Sequence, residues 1–231
     1  MAETRAPTGR NPKDGRTVQR QVYAKLRWAL LSGQYRPGEG ISIRKLADAF
    51  NTSMTPVREA LRRLESEGGL VEGGNRMLSV PRATLASLQE LYKVRLALEG
   101  LATEEAAEQI TDAELETVAG VCAEMQRAAE AFDVSTYLDS NWRFHAAIYG
   151  AARSPLLLGM IEGLWLRAGP MIALVPGPEH FERSMPSHWA ALRALQRRDG
   201  PAARTAIEQD LKDAANDLAG LLADDQPRRC A

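Results

Sequence analysis

Residues 41–70, ISIRKLADAFNTSMTPVREALRRLESEGGL, constrain the possible folds of this chain more than any other segment, because they set two short amphipathic helices around a polar turn. The first helix is expected to start at Ser42, a favourable N-cap, and to run to Phe50, with Ile43, Leu46, Ala47 and Phe50 on one apolar stripe. Asn51, Thr52 and Ser53 make a turn too short for a strand. Thr55-Pro56 then supplies a cap followed by proline at the first helical position. Val57, Leu61 and Leu64 repeat at helical spacing, while Arg58, Arg62 and Arg63 fall mostly on the opposite side. An apolar back with a basic front suits the major groove of double-stranded DNA, because arginine neutralises phosphate and can fork onto guanine O6 and N7. The bland alternative is a basic, solvated helix, and the paired-helix pattern argues against it.

Two short apolar runs follow, Leu70-Val71 and Met77 to Val80, around the turn Glu72-Gly73-Gly74-Asn75-Arg76. They suggest a β-hairpin, and with the helices they make a winged helix. Arg76 is expected at the wing tip, near a minor groove or a phosphate. An earlier helix, Gln19 to Ser32, carries Val22, Leu26, Ala29 and Leu30 as the stripe that braces the other two, and Tyr35 to Gly40 breaks it. Residues 1–16 are polar and turn-forming, so an arm is expected there. Its Arg5, Arg10, Lys13 and Arg16 can touch phosphate or remain a solvated tail.

A chain of 231 residues is too long for one winged helix of about 70 and has room for a second domain. Its net charge of −1 conceals a division. Residues 1–82 hold 15 Lys and Arg against 8 Asp and Glu, a surplus of +7, and the remainder holds 14 against 22, or −8. That asymmetry points to a polyanion partner for the first part alone. Cys122 and Cys230 offer neither a disulfide framework nor a CxxC metal site. With no apolar leader segment and no apolar run near 18 residues, a cytoplasmic location is expected.

The run RKLA at Arg44 to Ala47, TPVREALRRLESEG at Thr55 to Gly68, and the wing ending in Val80 resemble the N-terminal domain of GntR-type bacterial transcription regulators. The resemblance covers roughly residues 18–81. One departure is visible: the family usually has a single glycine before the Leu-Val of the wing, and here Gly68 and Gly69 are doubled. The resemblance implies that Arg44, Thr55, Arg58 and Arg62 reach bases or phosphates, with Arg76 at the wing.

From Thr84 onward helical periodicity takes over. Six helices are expected, at about 84–108, 112–130, 134–151, 155–174, 179–198 and 201–222, and their short connections imply an antiparallel bundle. The division expected is therefore an arm over 1–16, a winged helix over 17–82 and an all-helical effector-binding and dimerisation domain over 83–225. In NWRFHAAIY, Asn141 and His145 project from one helix face, one turn apart. His188 and Asp210 stand on two later helices. Taken alone, each histidine is more often a packed or surface residue than a metal ligand. Arg95, on the first long helix, offers a fork to a carboxylate, or equally a salt bridge to Glu99 at i+4.

Residues 84–222 resemble the helical effector domain, often called FCD, of the FadR-like subgroup, through YKVRLALEGLA at Tyr92 to Ala102, RFHAAIYGAARSPLL at Arg143 to Leu157 and HWAALRALQRRDGPAA at His188 to Ala203. That group commonly holds zinc or nickel with Asp-x-x-x-His on one helix and one histidine on each of two later helices. The resemblance carries these ligands onto Asn141, His145, His188 and Asp210, so the first acid has become an amide and the last histidine an acid. Two imidazoles, a carboxylate and an amide oxygen suit zinc, nickel or manganese with positions open for an effector carboxylate. A metal-free pocket that hydrogen-bonds an organic ligand directly is the competing reading.

The function expected is a homodimeric DNA-binding transcription regulator, a repressor by preference, controlled by a small carboxylate effector. One rival is a metal-dependent enzyme with an accessory DNA-binding domain, against which no nucleophile elbow, phosphate loop or well-spaced general base is found. Another is an architectural DNA-binding protein, for which the acidic second half is unsuited.

Overall fold

The computed structural model describes residues 12–73, 77–175 and 177–224. Among them the chain runs α1 (Pro12–Leu31), α2 (Ile43–Ala49), α3 (Met54–Ser66), β1 (Val71–Glu72), β2 (Leu78–Ser79), α4 (Leu85–Gln109), α5 (Asp112–Glu130), α6 (Val134–Ala151), α7 (Pro155–Ile172), α8 (Pro178–Gln196) and α9 (Gly200–Asp224). It is a mostly helical protein, a winged helix-turn-helix followed by an all-helical bundle.

The Ser42 hydroxyl caps α2 by accepting from the Lys45 N–H at 3.3 Å. Helix α3 departs from expectation: it starts at Met54 with Ser53 in the capping position, so Thr55 lies inside the first turn and Pro56 follows it there. Proline is tolerated in that turn because its missing N–H would have had no helical partner. Val57, Ala60, Leu61 and Leu64 of α3 are buried together with Val22, Leu26 and Leu30 of α1. Each such aliphatic side chain contributes about 1.5–3 kcal/mol on burial. Helix α1 begins at Pro12 rather than near Gln19, so part of the expected arm is helical, and residues 1–11 lie outside the described residues.

The wing pairs Val71 with Ser79 and Glu72 with Leu78 in antiparallel register. Glu39 and Gly40, expected only to break the chain, extend the wing together with Ile41: Ile41 N donates to Leu78 O at 2.8 Å and Val80 N to Glu39 O at 2.9 Å.

In the bundle, α4 lies centrally against α6, α7, α8 and α9. Reciprocal capping boxes start α4 at Thr84 with Ser87 and α5 at Thr111 with Glu114. The Asp133 carboxylate caps α6.

Helix α7 also closes on the winged helix. Arg27 of α1 pairs with Glu162 at 2.7 Å, Trp28 Nε1 donates to Asp139 of α6 at 2.8 Å, and Arg167 Nε donates to Gly68 O at 3.1 Å. These contacts explain the doubled glycine. Gly68 ends α3 at φ +79°, a conformation that side chains disfavour, and a Cβ on Gly69 would stand 3.2 Å from Leu166 Cβ. Across the same seam, a Cβ on Gly169 would press into the Leu30 carbonyl oxygen and come within 2.6 Å of that of Leu31.

Gly169→Ala therefore forces α1 and α7 apart and is expected to cost about 1–3 kcal/mol in urea unfolding. Gly163→Ala, one and a half turns earlier on the same helix with nothing within 4 Å of the added carbon, is the control and is expected to stabilise by up to about 1 kcal/mol. Equal effects at the two positions would contradict the seam.

Candidate functional site

Two groups of residues carry recognisable chemistry. On the winged helix, Arg44, Thr55, Arg58 and Arg62 are all exposed. Arg58 and Arg62 stand one turn apart on α3 and, with Ser42, Ile43, Met77 and Leu78, line a broad groove of about 760 Å³ between α3 and the wing. Neither arginine makes an ion pair or hydrogen bond with a described residue, so both guanidinium groups are available to an anion. Arg63 differs: its Nε lies 2.9 Å from Glu67, and its guanidinium covers the Tyr23 ring at 3.8 Å. It braces α3 against α1. Arg76 lies outside the described residues.

The second group is buried in the bundle. Asn141 and His145 come from α6, His188 from α8 and Asp210 from α9, and all four are less than a tenth exposed. The structure thus joins the four residues that the sequence proposed as ligands. One ligand atom from each of His145, His188 and Asp210 lies within 4.8 Å of the others. The nearest separations are 3.1 Å from His188 Nε2 to Asn141 Oδ1, 3.4 Å from His145 Nε2 to Asp210 Oδ2, and 3.6 Å from His188 Nε2 to Asp210 Oδ1.

Proton accounting shows what such a cluster can hold. His188 Nδ1 lies 2.9 Å from the Ser184 carbonyl, which can only accept, so that nitrogen carries the proton and Nε2 presents a lone pair. Burial pushes the His188 imidazole down to about 4, so it is neutral at neutral pH. Burial alone would raise the Asp210 carboxyl, but the neighbouring His188 and His145 outweigh it and hold the group far below the usual carboxylate range. Tyr137 donates to Ser184 Oγ at 2.9 Å, and Ser184 Oγ donates to Asp210 Oδ1 at 3.1 Å, which fixes the carboxylate from behind.

A lone pair on His188, an ionised carboxylate and the Asn141 carbonyl oxygen thus face one another with no proton between them. A cation at the centre would satisfy all three acceptors at once. Ligands 2.0–2.1 Å from a tetrahedral zinc are separated by roughly 3.3 Å, and the three nearest separations in the cluster, 3.1–3.6 Å, bracket that value. The donor set fits the ion.

Of the two roles considered for it, Arg95 takes the salt bridge. Its Nε and Nη2 bind Glu99 at 2.6 and 3.3 Å in a fully buried pair, and its guanidinium lies over the Tyr92 and Trp165 rings at 4.6 and 4.7 Å. Its Nη1 has no partner, and neither do Tyr92 Oη and Trp165 Nε1. All three are donors on residues that line the same cavity as His145 and Asp210, together with His180 and Ser184. The sequence missed Tyr92, Trp165 and Ser184 as members of the site. Ser184 stands four residues before His188, a spacing that could have revealed it, whereas Trp165 carries no local signal.

This cavity admits the centre of a water-sized sphere over only about 10 Å³. That is room for one water or one ion and not for an organic acid, so the cavity expected to receive an effector is closed to it in this conformation. A larger cleft of about 630 Å³ lies between α1, α3 and α7, lined by Tyr23, Arg27, Arg63, Glu67 and Glu162.

Comparison with known proteins gives two matching family models, "Bacterial regulatory proteins, gntR family" over residues 18–75 and "FCD domain" over residues 90–213. The chain is 30% identical over 192 residues to the HTH-type transcriptional regulator McbR of Escherichia coli (strain K12), covering 82% of this chain and 87% of that protein. It is 26% identical over 200 residues to the HTH-type transcriptional repressor RspR of the same organism, covering 85% and 86%. The solved structure of E. coli McbR/YncC superposes with a TM-score of 0.80 at 29% identity, over 88% of this chain and 98% of that one.

Offered zinc after purification without chelators, the protein is expected to bind one ion per chain by elemental analysis, and a His145→Ala, His188→Ala double variant none. Full stoichiometry in the variant would contradict the assignment of these ligands.

Proposed function

This chain belongs to the gntR family of bacterial regulatory proteins and carries an FCD domain, and we propose that the buried acceptor cluster in its bundle governs DNA binding by its winged helix. The protein is a DNA-binding transcription regulator, not an enzyme. The finer reading is a repressor that acts as a homodimer, its two winged helices reading the half-sites of a pseudo-palindromic operator. Among the relatives, RspR is named a repressor. Arg44, Thr55, Arg58 and Arg62 contact bases or phosphates, and Arg76 acts from the wing.

The observation that carries the regulatory reading is the concentration of unmatched buried polar groups in one place. Acceptors on Asn141, His188 and Asp210 call for a cation, and free donors on Arg95, Tyr92 and Trp165 call for an anion. A divalent metal, zinc or nickel, held by Asn141, His145, His188 and Asp210 supplies positive charge to which a carboxylate effector can bind. Arg95 Nη1 would then donate to the second oxygen of that carboxylate. A carboxylic acid with a polar group a few atoms away satisfies both sets, and its entry requires the cavity to open. Ligand and operator affinities are linked by the same factor in both directions, ordinarily about 1–3 kcal/mol.

DNA from the region upstream of the protein's own coding sequence tests this reading. Arg58→Ala is expected to weaken binding to that DNA by about 1–3 kcal/mol at moderate salt while leaving random DNA less affected. Equal loss on both would make Arg58 a phosphate contact. Absence of any sequence preference in the parent protein would overturn the operator reading.

A further inference from the structure

We infer that Tyr149 and Glu99 are positioning residues that set which nitrogen of His145 carries the proton, an inference that rests on reading the pocket as a cation site. Tyr149 lies one turn after His145 on α6, and its oxygen is 2.9 Å from His145 Nδ1 and 2.5 Å from Glu99 Oε2. It has one proton to give. Glu99 is a carboxylate paired with Arg95 at 2.6 and 3.3 Å, and it can only accept. The Tyr149 proton therefore goes to Glu99, and the phenol oxygen accepts from His145. In the neutral ring that leaves the proton on Nδ1 and a lone pair on Nε2, the atom that faces Asp210 Oδ2 at 3.4 Å.

The tautomer decides whether the site is open to an ion. With the proton on Nδ1, His145 Nε2 and Asp210 are two acceptors that a cation can join. With the proton on Nε2, His145 would instead donate to Asp210 and close the site with an internal hydrogen bond. The buried row Arg95–Glu99–Tyr149–His145 selects the open form. It also runs from the side chain with a free donor for an anion to the side chain with a free lone pair for a cation. The four residues are each at most about 1% exposed, so solvent does not compete for these protons.

The test reads the tautomer directly. Long-range proton–nitrogen NMR of the metal-free parent chain, with the ring assigned by His145→Gln, is expected to show the Nδ1–H form for His145. Tyr149→Phe keeps the ring and removes the acceptor, so it is expected to shift His145 to the Nε2–H form and to weaken zinc binding about 10–100-fold in competition with a chromophoric chelator. The Nε2–H form in the parent, which needs no variant to observe, overturns the inference. So does a Tyr149→Phe chain with unchanged tautomer and unchanged zinc affinity. A parent that shows the expected tautomer and its switch yet takes up no zinc overturns the cation reading and leaves the assignment of Tyr149 and Glu99 standing.

Discussion

The polar groups that converge inside the helical bundle set the terms for the rest of that domain. Burying a carboxylate costs several kcal/mol unless it is paired and hydrogen-bonded. Here Asp210 has Ser184 behind it and two imidazoles in front. Keeping those groups in register needs α6, α8 and α9 to converge, with α4 adding Arg95 and Glu99 at the same level. The fully buried Arg95–Glu99 pair gives little net stability by itself, yet removing one partner would strand the other charge at a cost of about 3–5 kcal/mol. The polar interior is thus held by mutual dependence as much as by the apolar packing around it.

Helix α7 connects this interior to the winged helix. Trp165 forms a wall of the cavity, packed on His145 at 5.3 Å and Trp142 at 4.9 Å. The next two residues, Leu166 and Arg167, meet Gly69 and Gly68 at the end of α3, and Gly169 lies against the backbone of α1. Pro170 follows directly and, having no N–H, leaves α7 one internal hydrogen bond short at the seam. Trp165 thus stands within about one helical turn of the residues that meet the end of α3 and the backbone of α1. Because the cavity has room for an ion and not for an organic acid, larger ligands must move one of its walls, and Trp165 is among them.

Much of this was legible in the sequence where a local rule ties residue type to geometry. Periodicity and capping located α4 to α7 within a residue or two of their observed ends, and Asn141 and His145 were placed on one face by their spacing. The start of α3 was misplaced because Ser53 and Thr55 are both acceptable caps, and the helix begins after the earlier one although the Ser53 side chain makes no capping hydrogen bond. The added strand residues at 39–41 were invisible because a bridge to Ser79 is a long-range fact in a segment rich in glycine. Trp165 and Tyr92 could not be assigned to the pocket from the sequence, since apolar and aromatic positions on a helix look alike whether they wall a cavity or fill a core. The doubled glycine was seen as a departure, but its reason, the approach of Leu166 and Arg167, is written about a hundred residues further along the chain.

The central claim is that one cation is held where α6, α8 and α9 converge. Anomalous diffraction at the zinc edge from crystals of the zinc-loaded protein tests it most directly. The account predicts one strong peak per chain, bonded to His145 Nε2, His188 Nε2 and Asp210 at about 2.0–2.2 Å. A zinc-loaded crystal with no peak there, or with its peak on other residues, would contradict it.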